Sequence, residues 1–292
     1  MAPLKHIWIF LAVGILALSQ SANIIRLGDA HPVAIAAWRL GLAALVLAPL
    51  AGRGLARIPA LPLKSLLLLL GASAALALHF FTWIAAVQTT TVANATLVLA
   101  INPVITAAAA YLFFGERASG RLKIAVGIGV LGVAAIGWND LALSRDKIGG
   151  DLLSLASSFL FTAYLLIGKR VRRALDNAAY VTAVYGAAAV FAFATMFVLG
   201  VPLVGYTPRT WACFGLMALV PTVIGHTSLN AAVRYMPAGR ITALTLAEPL
   251  LAGTVAYFAW DETASMGALV GYVLIGASVL AVATERRVEE RE

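Results

Sequence analysis

His79 stands in LALHFFTWIAAV (76–87) as the one ionisable group between Leu66 and Val87, with Phe80 beside it and Trp83 four positions on. On a helix, positions four apart share a face, so the imidazole and the indole form a polar handle next to a stacking surface. An imidazole with an ordinary pKa of about 6.5 can exchange a proton near neutral pH. A second polar point is Asn102, which precedes Pro103 in INPVITAAAAYLFFGERAS (101–119). A third is Glu248, which precedes Pro249 in AEPLLAGTVAYFAWDETAS (247–265). These types in apolar surroundings suit ligand binding, with proton coupling through Glu248 and His79. An ionised acid at the centre of a membrane helix costs about 2.5–3.5 kcal/mol, so Glu248 is expected to be protonated, hydrogen-bonded or in contact with water.

Aromatic residues extend the candidate binding set. Tyr164 lies near Phe161 and Thr162 in SSFLFTAYLLIGK (157–169), and Trp38 precedes Arg39 in AWRLGLAALVL (37–47). The candidate substrate-binding residues are therefore His79, Phe80, Trp83, Asn102, Tyr164 and Trp38. Each has a plainer reading. Trp83 can belong to an interfacial aromatic belt, Tyr164 and Trp38 can be packing residues, and His79 can be bonded to a neighbouring helix. Arg39 can snorkel outward, meet a backbone carbonyl or meet a substrate carboxylate.

The elements that hold these residues must lie in lipid. Of 292 residues 62% are hydrophobic and 12% charged, more apolar surface than one soluble core can bury. Apolar stretches near 20 residues long recur throughout, each enough to cross a hydrocarbon layer of about 30 Å. Ten spans are read, at about 7–26, 33–51, 65–87, 91–114, 121–138, 150–169, 178–199, 210–233, 238–259 and 266–284. Lys5, the apolar Ile7–Leu18 and SQSA (19–22) resemble a cleavable leader. The first span nevertheless has a counterpart later in the chain and is read as a helix. With the N-terminus inside, the outer loops keep only Arg26, Arg145, Lys147 and Arg209, and nearly all other Lys and Arg fall inside. Positive-inside bias then places both termini in the cytoplasm. The net charge of +8 reads as loop charge, so no nucleic-acid partner is expected. Cys213 is alone and can form no internal disulfide.

The chain also repeats itself. Pro249, Tyr257, Glu262, Ala264 and Ser265 follow Pro103, Tyr111, Glu116, Ala118 and Ser119 at a constant offset of 146 residues. Each half holds an odd number of spans, so the second half enters the membrane upside down. The expected fold is thus an all-α polytopic membrane protein of ten transmembrane helices, built as two five-helix inverted-topology repeats over 1–140 and 147–292. Inverted repeats are characteristic of secondary transporters, whose substrate sites lie near the midplane. Pro103 and Pro249 break spans four and nine halfway along. Each frees the carbonyl four residues back, at Leu99 and Thr245, which must face protein or a water-filled cavity. The glycines at 127, 129, 132, 267 and 271 read as packing surfaces.

With the Arg of AWRLGLAALVL and a Pro followed by AYLFFGE and AYFAWDE, the whole chain resembles the drug/metabolite transporter superfamily, EamA type. It looks most like the YddG-type aromatic amino-acid exporters. The resemblance implies a ten-helix inverted-repeat fold and export of a small organic molecule across a bacterial inner membrane. The second half keeps Glu248 before its proline, and the first half has Asn102 there. The expected partners are a small-molecule substrate and the lipid bilayer, with one copy of the chain sufficient for transport. A broad drug or solute exporter, or a non-transporting scaffold or sensor, are the alternatives. No metal-binding or phosphate-cradling motif is present in the sequence, so no cofactor and no catalytic residue is expected.

Overall fold

The computed structural model describes residues 2–90, 92–137, 148–172, 175–260 and 265–285. Arg145 and Lys147 of the expected outer loop, Arg173, Glu262 and Ala264 of the repeat, and Arg286, Arg287 and Arg291 lie outside the described residues.

The described residues are helical, with no strand. In chain order they form α1 (Ala2–Ser19), α2 (Ser21–Ile25), α3 (Pro32–Leu55), α4 (Leu63–Thr89), α5 (Val92–Leu99), α6 (Asn102–Phe114) and α7 (Gly120–Gly137). After these come α8 (Ile148–Val171), α9 (Asn177–Leu199), α10 (Pro208–Met217), α11 (Thr227–Ala232), α12 (Ala238–Leu244), α13 (Glu248–Trp260) and α14 (Met266–Ala283). A π-helical stretch, Ala218–His226, joins α10 to α11, and a 3-10 turn, Thr245–Ala247, joins α12 to α13. Seven helical stretches among the described residues are long and apolar enough to cross a membrane.

Local chemistry sets the ends. The side chains of His31, Asp176, Thr207 and Ser265 accept hydrogen bonds from the backbone N–H groups of Val33, Ala179, Thr210 and Ala268, each capping an orphan donor of a helix start. Gly115 and Gly200 end α6 and α9 in the left-handed conformation, with φ of 70° and 67°.

The proline breaks are sharper than the expected kinks. Pro103 sits in the first turn of a new helix, α6, where its missing N–H costs nothing. Pro249 likewise follows Glu248 at the start of α13. Pro221 stays inside its helix, and the result is the π stretch. It has no N–H to give the Met217 carbonyl, and the Thr222 hydroxyl donates to that oxygen instead, at 2.8 Å.

The offset of 146 residues recurs in the element boundaries. Shifted by it, Asn102–Phe114 becomes Glu248–Trp260, and Gly120–Gly137 becomes Met266–Ala283. The most extensive packing joins α3 to α9, α4 to α8 and α7 to α14, while α1 packs on the π stretch. Exchanging the halves maps this pairing pattern onto itself.

α7 and α14 meet backbone to backbone. A Cβ on Gly132 would lie 2.9 Å from the Gly271 carbonyl oxygen, and one on Gly267 would lie 2.8 Å from that of Ala135. Gly127, expected in the same surface, faces nothing within 4 Å. Replacing Gly132 by valine is therefore expected to cost about 1–3 kcal/mol through overpacking, seen as a lower melting temperature in detergent. Unchanged melting would show that the two backbones do not approach so closely.

Candidate functional site

A cavity of about 840 Å³ lies between the halves, lined from α1 to α8, α11, α13, α14, the π stretch and the 3-10 turn. His79, Phe80, Trp83, Asn102, Pro103, Glu248 and Pro249 all border it, as do Leu99 and Thr245, the residues whose carbonyls the prolines free. Trp83 is 7% exposed and lines this space, so the interfacial-belt reading does not describe its position.

His79 is pinned from α8. Its Nδ1 lies 2.8 Å from the Ser157 hydroxyl and 3.0 Å from the Ser157 carbonyl. The other ring nitrogen, Nε2, makes no hydrogen bond among the described residues and is the one left for a ligand. Around the imidazole stand Phe80, Phe161 and His226, with ring centroids 5.2, 5.1 and 6.1 Å away. Phe80 meets His226 edge-on at 5.1 Å.

Asn102 borders the cavity with its acceptor already in use. Its Oδ1 accepts from Thr106 at 3.1 Å and from Thr162 at 3.0 Å, and those hydroxyls lie 2.8 Å apart. The amide thus locks α6 to α8, which limits it as a substrate contact. Glu248 makes no hydrogen bond or ion pair among the described residues and keeps its carboxyl for the cavity.

Two expected binding residues lie elsewhere. Tyr164 is fully buried one layer behind Phe161 and His226, and its hydroxyl accepts from Asn230 Nδ2. Trp38 does not line this cavity. It packs edge-on against Phe193 and Trp211, and its Nε1 donates to the Leu203 carbonyl at 3.1 Å. Adjacent positions on a helix point about 100° apart, so Trp38 faces away from the cavity that Arg39 borders.

Arg39 is the residue whose surroundings differ most from expectation. It is 1% exposed and borders the cavity, neither snorkelling nor meeting a carbonyl. Nε donates to the Thr222 hydroxyl at 2.6 Å, and the guanidinium carbon Cζ lies over Phe80, 3.6 Å from the ring centroid. Nη1 is buried without a hydrogen-bond partner. His226 was not among the sequence candidates, although the 146-residue offset carries Phe80 onto it.

At one end the cavity reaches Arg26, Tyr257, Ser265 and Leu269. Toward the opposite end the helix termini are tied together. Glu116, just past α6, pairs with Lys169 of α8, and its other oxygen accepts from the Ala238 N–H at 3.3 Å. Ser119 bonds to Glu285, and Arg121 donates to Thr284 at 2.7 Å. Arg240 donates to the Val282 carbonyl at 3.0 Å. The arrangement offers ring faces, a cation and a carboxyl around one cavity, which is equipment for holding a solute.

Residues 4–138 and, separately, 148–284 match one protein family, described as EamA-like transporters. The chain is 28% identical over 200 residues to an uncharacterized transporter of Archaeoglobus fulgidus, across 68% of this chain and 69% of that protein. A solved crystal structure superposes with a TM-score of 0.81 at 19% identity, covering 97% of this chain and 99% of the other. At that identity the likeness is one of fold.

Proposed function

The chain belongs to the EamA-like transporter family, and from that premise we propose that it exports amino acids, aromatic ones foremost, or related small metabolites across the inner membrane. It works as a secondary transporter by alternating access. The observation that carries this reading is the cavity between the halves, large enough for an amino acid and bordered by Phe80, Trp83, Phe161 and two histidines. Flat ring faces favour a flat solute.

Ten spans follow if α1–α2, α5–α6, α10–α11 and α12–α13 are each one interrupted crossing. The two five-helix repeats, 1–140 and 147–292, are then inverted, a reading supported by the pairing pattern and by the two family matches. Both termini are cytoplasmic on the charge bias, so the cavity opens outward and the Glu116–Lys169 cluster closes the inner side. Interrupted helices near the midplane are where such carriers place substrate. A non-transporting scaffold needs no solute-sized enclosure. A broad solute exporter shares the architecture and differs in substrate range.

Counterflow in proteoliposomes with radiolabelled amino acids, with and without a pH gradient, tests the proposal. Saturable flux of phenylalanine, tryptophan or tyrosine is expected. Trp83→Ala should lower it about tenfold, the order of one lost stacking contact with its buried area. No flux of any amino acid by folded, inserted protein would overturn the substrate class and leave the broader exporter in its place.

A further inference from the structure

We infer that Arg39 is the anchor for a carboxylate group, so that the cavity selects solutes carrying a carboxylate over amines of the same shape. The inference rests on the reading of the cavity as the transported solute's site.

A guanidinium inside a membrane protein is costly unless its charge is answered. Here the answer is incomplete. One nitrogen is held by the Thr222 hydroxyl and one face is covered by Phe80. Among the described residues no carboxylate lies within ion-pair distance of Arg39. Nη1, buried and unpartnered, belongs to a side chain on the cavity wall. A guanidinium gripped on one edge and one face is preorganised, and its remaining N–H groups form the fork that matches a carboxylate. Trp83, one helical turn beyond Phe80, also borders the cavity and offers a ring surface for the rest of the solute.

A purely structural role is less complete. The Thr222 bond and the Phe80 contact would tie α3 to the π stretch and to α4, but they leave a buried donor unused, at a cost of about 1–3 kcal/mol. An inorganic anion such as chloride would also satisfy charge, so the test must separate it from an organic carboxylate.

Purified wild-type protein is titrated with L-phenylalanine, 3-phenylpropionate and phenethylamine, at low and again at high chloride, with tryptophan fluorescence as readout. The two carboxylates should bind about 10- to 100-fold more tightly than the amine, the range for a hydrogen-bonded charge. Arg39→Gln should erase that gap, and Arg39→Lys, with a charge but no fork, should restore part of it. If Arg39→Gln fails to fold, the wild-type series still decides. Equal binding of phenethylamine, binding of none of the three probes, or a response to chloride without preference among them overturns the inference. Arg39-dependent carboxylate binding without flux in vesicles would instead overturn the transport reading and leave the anchor. Flux of phenylalanine and phenethylamine at equal rates would do the reverse.

Discussion

Replacing His79 by alanine is expected to cost about 2–4 kcal/mol of stability and to lower flux of the proposed substrates at least about tenfold per folded molecule. Two losses add. The ring is 6% exposed and packed among Phe80, Phe161 and His226, so truncation leaves a void where three aromatic edges met. The Ser157 hydroxyl, 2.8 Å from Nδ1, also loses its link across α4 and α8. Melting temperature in detergent reads the first effect, and counterflow normalised to folded protein reads the second. Pairing His79→Ala with Ser157→Ala in a double-mutant cycle should show a coupling of about 1 kcal/mol. Unchanged melting together with unchanged flux would remove His79 from the site altogether.

Replacing Glu116 by alanine should shift the balance of cavity openings about 5- to 30-fold away from the form this structure shows. The two side chains of the Glu116–Lys169 pair are 20% and 22% exposed, so solvent screening holds the pair to about 0.5–1 kcal/mol. The carboxylate also accepts from the Ala238 N–H at 3.3 Å, which brings the expected total to about 1–2 kcal/mol. The readout is labelling of Ala252→Cys, on the cavity wall, by an impermeant maleimide added from the side of Tyr257 and Ser265 in a Cys213→Ser background. Slower labelling in Glu116→Ala is expected. An unchanged rate would mean that the cluster does not govern closure.

Much of the architecture was legible because lipid leaves the chain few choices. Apolar length marked the helices, and the return of Pro103 and Tyr111 as Pro249 and Tyr257 predicted a pair of matching breaks, which the structure places at the starts of α6 and α13. The cavity lining was legible where one helix carried it. His79, Phe80 and Trp83 lie on α4 and border one cavity. It was illegible where two helices must meet. That Asn102 spends its acceptor on Thr106 and Thr162 depends on α6 lying against α8, a contact between residues distant in sequence. The grip of Thr222 on Arg39 depends on α3 lying against the π stretch. Tyr164 and Trp38 failed as lining residues for the same reason, since periodicity gives a face of a helix but not the neighbour that face meets.

The π stretch holds chain length in reserve. Its turns are wider than those of an α-helix, so Ala218–His226 accommodates more residues per turn than its neighbours. If those turns tightened to α geometry, one residue of register would be released and the downstream face would rotate by about 100°. His226 would swing out from beside Phe80 while α10 stayed where Thr207 caps it. Arg39, held by Thr222 in the same stretch, would feel that rotation through a single hydrogen bond. The wall of the cavity is therefore geared to the winding of one helix, and a change in twist there is translated directly into a change in what the solute touches.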